Sequence, residues 1–251
     1  MLAGTKGAHR TLKCGQSYYA GPVRNQTAIW LCHDRRRKPG AFEVNNVANR
    51  LVDACEKLLC EAGSIDGVTA RAIASLAGTP ASAVSYYFGS QEKLIIAAAT
   101  RVYRSLNVER MALLEAAIKR AAPNPPALDE MIAALVGPSV RWSLDPTSKY
   151  RVLVHFTAMA QGSGHPELYR NMLEGIEHHR VFMPYLRMAA PWLSEAEIGW
   201  RMSCALGIRS QVTRSRLRNE VLTNHTIDFS DADTVIANIV AVVVPMFRRP
   251  G

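Results

Sequence analysis

The chain has 251 residues, is 48% hydrophobic and 20% charged, and carries a formal net charge of +9. So much apolar material supports a real core and excludes wholesale disorder. A membrane span is not expected, because the most apolar stretch, residues 235–247, is about 13 residues long with Pro245 inside it, against the ~20 a spanning helix needs.

Charge is distributed unevenly. Residues 1–50 hold nine Lys/Arg against two Asp/Glu, a balance of +7, and the rest of the chain contributes only +2. The basic pI therefore describes the N-terminal segment and is not by itself evidence of nucleic-acid binding. The first ten residues are basic but have no apolar run behind them, so no secretion signal is expected. The five cysteines form no Cys-x-x-Cys pair. Neither a disulfide framework nor a zinc site is expected, and the expectation is a reduced, cytoplasmic protein without cofactors.

Residues 1–44 show no sustained periodicity and include the run Arg35-Arg36-Arg37-Lys38 before Pro39-Gly40. A disordered basic extension is expected. One alternative is a start further along the chain. Another is an arm lying on phosphates or in a minor groove.

From Val44 the pattern turns helical, with Val47, Leu51, Ala54, Leu58 and Leu59 three and four apart, Asn45 or Asn46 as a cap, and Gly63 after the end. Thr69 is a good cap for a short helix through Ile73 and Leu76 that stops at Gly78. Thr79-Pro80 is expected to open a third helix carrying Val84, Tyr87 and Phe88, with Thr as cap and Pro in the first position. Gly89-Ser90 breaks it, and Ser90 begins a long helix from Gln91 into Asn107. The turn between the second and third helices has helix-turn-helix length. Further helices are expected over 108–122, 127–135, 149–161, 166–188, 194–219 and 230–247. Prolines and glycines, including Gly137-Pro138, punctuate them. Ser194-x-x-Glu197 reads as a capping box, and Asp231 and Asp233 favour the start of the last helix. No strand pattern stands out.

The segment 68–94 runs from a Thr69-capped helix with Ile73-Ala74, through Ala77-Gly78 and Tyr86-Tyr87-Phe88, to Ser90-x-Glu92-x-Leu94. It resembles the DNA-binding head of the TetR family of bacterial repressors, over residues 45–104. The resemblance implies an all-α fold: an N-terminal three-helix helix-turn-helix head plus a C-terminal helical body, residues 105–251, for ligand binding and dimerisation. It also implies a homodimer, a palindromic double-stranded operator, hence association with the nucleoid, and a small-molecule effector.

The residue chemistry agrees. Ile73, Leu76, Val84 and Phe88 form the apolar side of the two helices, and Ala77-Gly78 permits their close approach. Ala81, Ser82, Ser85 and Tyr86 form the opposite side, small enough to sit deep in a major groove. By resemblance, Thr69 and Tyr87 map to phosphate contacts, and Arg71, Ala81, Ser82, Ala83 and Ser85 to base reading. Thr79, Gln91 and Lys93 complete the expected DNA-binding set, with Gln91 standing where the family usually has lysine. Only Arg71 among the base readers offers a bidentate fork, suited to guanine. Residues 45–93 hold four basic and five acidic residues, so the run Arg35–Lys38 is expected to supply phosphate contacts.

In the body, Ile198, Met202, Ile236, Ile239, Val240 and Val243 lie on two long apolar stripes, which family precedent makes a four-helix dimer interface. Trp142, Tyr150, His155, Met159, Tyr169, Met172, His179, Met183 and Arg209 are candidate lining for a plastic, mostly apolar ligand pocket. His165, His178 and His179 lack metal-ligand spacing, so no metal is expected. No catalytic constellation stands out. The competing reading is a helical small-molecule-binding protein or enzyme with a vestigial head.

Overall fold

The computed structural model describes residues 41–62, 67–162 and 177–249, and those residues contain helices and no strand. Residues 1–40, with the basic run Arg35–Lys38, lie outside them.

Helix α1 spans Ala41–Glu61. It begins ahead of Asn45 and Asn46, so neither caps it. Its inward stripe of Leu51, Cys55 and Leu59 is fully buried. Burial pushes the Cys55 thiol up to about 12, with Glu56 adding to the shift, as befits a cysteine used as a small apolar residue. Helix α2, Ala70–Leu76, starts where Thr69, in extended conformation, accepts from the Ala72 N–H at 3.1 Å. It ends at Gly78, whose φ of +64° is a left-handed conformation that glycine adopts without Cβ strain.

Helix α3, Ser82–Phe88, starts later than the sequence suggests. Thr79 does not cap it. Its N–H and hydroxyl both donate back to the Ala74 carbonyl, at 2.9 and 3.3 Å, so the residue closes the turn behind α2. The Pro80 carbonyl then accepts from the Ala83 N–H at 2.9 Å, and Ala81 occupies the cap position.

Helix α4, Gln91–Ala121, is a single 31-residue rod. It corrects the expected break near Asn107, and it crosses the expected head–body boundary at 104–105 without interruption. Ser90 caps it by accepting from the Lys93 N–H at 3.2 Å. Helix α5, Leu128–Leu144, likewise continues through Gly137-Pro138, which sequence punctuation had marked as an end. Pro138 denies the Ala134 carbonyl its helical donor, and the neighbouring Leu135 carbonyl accepts from the Arg110 guanidinium at 2.8 Å. A Cβ placed on Gly137 would stand 3.5 Å from Ile236, so a small residue lets the last long helix approach there.

Helix α6 is Tyr150–Gly162, followed among the described residues by α7, Glu177–Arg180, and α8, Met183–Ala189. The expected helix over 166–188 lies partly outside them, and its described part is two helices. Helix α9, Glu195–Arg214, carries the expected capping box, and Ser215 separates it from α10, Arg216–Leu222. Helix α11, Ala232–Val243, is capped by Asp231 and passes into a 3₁₀ turn over Val244–Phe247.

Two apolar clusters hold the molecule together. One joins Leu51, Ile73, Val84 and Leu94 of the head to Val152, Leu153 and Phe156 of α6. The other joins Leu114 of α4 to α5, α8, α9 and α11. Because α4 contributes to both, head and body share a backbone element as well as a packed seam.

Candidate nucleic-acid interface and ligand-binding body

The head is built so that one side of α2 and α3 is used up by folding and the other is left to solvent. Ile73, Ala74, Ala77 and Val84 are buried. Thr69, Arg71, Ala81, Ser82 and Ser85 are exposed, and Tyr86 is 80% exposed. Tyr86 meets Tyr87 edge-on, with ring centroids 4.9 Å apart, so the outer ring is propped by the half-buried one. Leu76 points outward at 44% exposure rather than into the head's core.

Two expected DNA contacts need correction. Ala83 is buried, because one step along the helix from Ser82 turns about 100° and carries its methyl toward the core. The Gln91 side chain faces inward: its amide N–H donates to the Val68 carbonyl at 2.6 Å, and its carbonyl accepts from the Ala70 N–H at 2.9 Å. The residue clamps the entry of α2 to the start of α4. Lys93, one turn into α4, is exposed. Thr79 is half-buried with its hydroxyl engaged as described. Sequence reasoning missed Arg50, whose guanidinium lies 3.8 Å from where a Gly78 Cβ would stand. Its exposed position on α1 was legible, but not its proximity to the turn.

Polar contacts fix the head to the body. Glu56 on α1 is 2% exposed and accepts from Arg101 Nε of α4 at 2.6 Å and from Lys149 Nζ at 2.5 Å. Arg101 also reaches Asp53 at 2.5 Å. Arg151 Nη2 donates to the Ala62 carbonyl at 2.6 Å, and His155 Nε2 lies 3.3 Å from the same oxygen. His155, expected in a ligand pocket, therefore stands at the head–body joint.

The other pocket candidates are dispersed. Trp142 donates to the Glu109 carboxylate at 2.9 Å and packs, with Tyr150 and Met159, against the head-side cluster. The Tyr150 hydroxyl lies 3.4 Å from that of Thr213 on α9. His179 is buried, and Met183 packs on the body cluster. Arg209 is half-buried on α9 with its Nε fully enclosed. Tyr169, Met172 and His165 lie outside the described residues, as does the side chain of His178. An apolar groove opens elsewhere, between α9, α10 and α11, lined by Ile208, Val212, Leu222, Phe229, Ile239 and Val242.

The expected dimer stripes also need correction. Ile198, Met202, Ile236, Ile239 and Val243 are buried inside the protomer, and Val240 is half-buried. They are core, because α9 and α11 turn their most apolar faces onto α5 and α8. The outward faces carry Trp200, at 71% exposure, with Ser203 and Gly207 on α9, and Ala237 and Ala241 on α11.

No curated protein matches the chain by sequence. Among solved structures, the multidrug binding protein EbrR in complex with imidazole is 17% identical, with 81% of this chain and 96% of that one covered at a TM-score of 0.51. A protein of Pseudomonas aeruginosa PAO1 assigned as a transcriptional regulator is 16% identical, with coverages of 85% and 97% and a TM-score of 0.52. The superantigen PfiT is 13% identical, with coverages of 82% and 97% and the same TM-score. These likenesses concern the fold alone. A family model described as bacterial regulatory proteins of the tetR family matches residues 51–98, and one described as the tetracyclin repressor-like C-terminal domain matches residues 133–245.

The two family matches fall on the helix-turn-helix head and on the helical body, and they assign the chain to the class of DNA-binding transcriptional regulators with a ligand-binding C-terminal domain. The two models together span well over half of the chain, and the chain belongs to the TetR family.

Proposed function

We propose that the chain is a repressor that releases a palindromic operator when a small, mostly apolar ligand binds its body. In this reading residues 45–104 are the DNA-binding unit and residues 105–251 the ligand-binding and dimerisation unit. The observation that carries the reading is the division of α3: Val84 is buried while Ala81, Ser82, Ser85 and Tyr86 face solvent, with Arg71 exposed on α2 beside them. A short rod with small polar residues outward is shaped to enter a major groove, and Arg71 has the fork that reads guanine. Thr69, Tyr87 and Lys93 flank it as phosphate contacts.

Reading two half-sites requires two heads about 34–36 Å apart, hence a homodimer. The outward faces of α9 and α11 suit a four-helix seam, since small side chains permit close approach around Trp200. Release follows from population shift: the ligand favours a body conformation in which the heads no longer match successive grooves. Full switching from 1:99 to 99:1 requires a differential affinity of about 5.5 kcal/mol.

The test is a gel-shift assay on the DNA upstream of the protein's own gene. The wild type should bind it, and Arg71→Ala should bind roughly 5- to 150-fold more weakly, from the ~1–3 kcal/mol of one bidentate base contact. A folded protein that binds no DNA at low salt overturns the reading.

A further inference from the structure

Helix α10, Arg216–Leu222, buries none of its seven residues within the described protomer. Isolated helices shorter than about 12–15 residues are marginal in water, so one this short and this bare needs cover. Leu217 and Val221, four residues apart and therefore on one face of it, are 73% and 58% exposed. Beside it lies the apolar groove between α9, α10 and α11, about 270 Å³ in volume, lined by Val212, Leu222, Phe229, Ile239 and Val242 among others but by neither Leu217 nor Val221. One protomer thus carries an apolar projection and an apolar hollow that it does not use on each other. The groove borders the outward faces of α9 and α11, since Gly207 precedes Ile208 and Ala241 precedes Val242. Charge is sorted in the same region. Arg214 and Arg218 are exposed at the end of α9 and on α10, and Asp228 and Asp231 are exposed just ahead of α11. These four enter no ion pair among the described residues.

We propose that projection and hollow are two halves of one interface between copies of this chain. Leu217 and Val221 of each protomer seat in the groove of the other, and Arg214 and Arg218 face the other copy's Asp228 and Asp231 across the join. This rests on the homodimer inferred above and extends its seam from α9 and α11 to α10. A patch that holds a projection, a hollow and both signs of charge is self-complementary, as a two-fold axis requires. Size agrees: a cavity of ~150 Å³ takes a benzene-sized group, and the larger groove has room for two aliphatic side chains. A small molecule in the groove would leave Leu217 and Val221 in water, whereas a second copy covers groove and projection together. The ion pairs lie at the rim, where they set register and choice of partner more than affinity.

The experiment measures the dimer dissociation constant of the full chain by analytical ultracentrifugation, on wild type, Leu217→Ser, Val242→Ser, the double variant, Arg218→Glu and Gly207→Leu. Leu217, Val242 and Arg218 are exposed in the protomer, so their variants are expected to fold, which far-UV circular dichroism verifies. Leu217→Ser and Val242→Ser should each weaken the dimer by about tenfold or more. The double variant should lose less than the product of the two, because both cut one contact from its opposite sides. Arg218→Glu should weaken the dimer at low salt, and less so at high salt. Full-strength dimerisation in Leu217→Ser, in Val242→Ser or in Arg218→Glu, or single losses that simply multiply, overturns the proposal. Dissociation by Gly207→Leu but not by Leu217→Ser keeps the homodimer and overturns the role of α10, while a monomeric wild type overturns both readings. Anilinonaphthalene sulfonate that binds the wild-type dimer and is lost in Val242→Ser, at an unchanged dissociation constant, gives the groove to a small molecule and likewise overturns the proposal.

Discussion

Gln91 illustrates what a single side chain contributes to the head. Its two hydrogen bonds, at 2.6 and 2.9 Å, tie the backbone on either side of Thr69 to the first turn of α4. Those bonds position the residues that cap α2 and present Arg71. Gln91→Ala leaves the Val68 carbonyl and the Ala70 N–H without these partners, at a cost of about 1–3 kcal/mol. The expected outcome is a lower Tm in a thermal melt together with weaker operator binding, although the charge of the head is unchanged. A loss of DNA affinity at unchanged Tm would instead mean that Gln91 touches the duplex. The position was conspicuous in the sequence as the start of a helix, yet its role was not legible. Its partners lie 21 and 23 residues away, and periodicity carries no information about which side chain folds back on which carbonyl. The buried Ala83 was misplaced for a simpler reason: it was assigned to base reading by resemblance alone, whereas the facing read from the residues themselves put Ala81, Ser82, Ser85 and Tyr86 outward and did not include it.

At the level of elements, local chemistry was readable where it acts within one turn. Thr69, Ser90, Ser194 and Asp231 cap the helices the sequence assigned to them. It failed where tertiary packing overrides a breaker, as at Pro138, where α5 continues because its flanks are buried and Arg110 satisfies a carbonyl beside the proline. The capping box gives a further test. Ser194 Oγ accepts from the Glu197 N–H at 3.3 Å and donates to Glu197 Oε2 at 2.7 Å, and the Ser194 N–H reaches the same oxygen at 2.8 Å. The bond from the Ser194 backbone, then that from its hydroxyl, hold the Glu197 carboxyl below its ordinary value. A carboxyl whose pKa is lower folded than unfolded stabilises the fold above its unfolded value, and that contribution is lost as pH falls through the folded one. Ser194→Ala should therefore lower stability at neutral pH by about 1 kcal/mol, the usual worth of an N-cap. The gap between variant and wild type should narrow below about pH 4, where glutamate takes up its proton. Melts at pH 7 and pH 3 check both, and a gap independent of pH would place the effect in the serine alone.

For the whole molecule, the fold class and the order of head and body were legible from the Thr69-to-Leu94 signature. The interface faces were not, since two apolar stripes on neighbouring helices fit a protomer core as well as a seam between protomers. Only the packing of α9 and α11 onto α5 and α8 decides between them. Gly207 offers a clean probe of the outward face: a Cβ there meets nothing within 4 Å inside the protomer. Gly207→Ala should stabilise the isolated protomer by about 0.5–1 kcal/mol, as replacing glycine within a helix does. Gly207→Leu should shift the protein from dimer to monomer in size-exclusion chromatography with light scattering, and abolish cooperative operator binding. A leucine variant that remains dimeric moves the seam off this face.

The unbroken α4 sets a mechanical ratio. Arg110, anchored in the body, and Gln91, anchored in the head, stand about 28 Å apart along one axis at 1.5 Å per residue. A tilt of about 5° at the inner anchor swings the outer end by about 2.5 Å, a fifth of the ~12 Å width of a major groove. With a rigid shaft of that reach, an adjustment too small to disturb the packing of the interior is already large on the scale of a base pair.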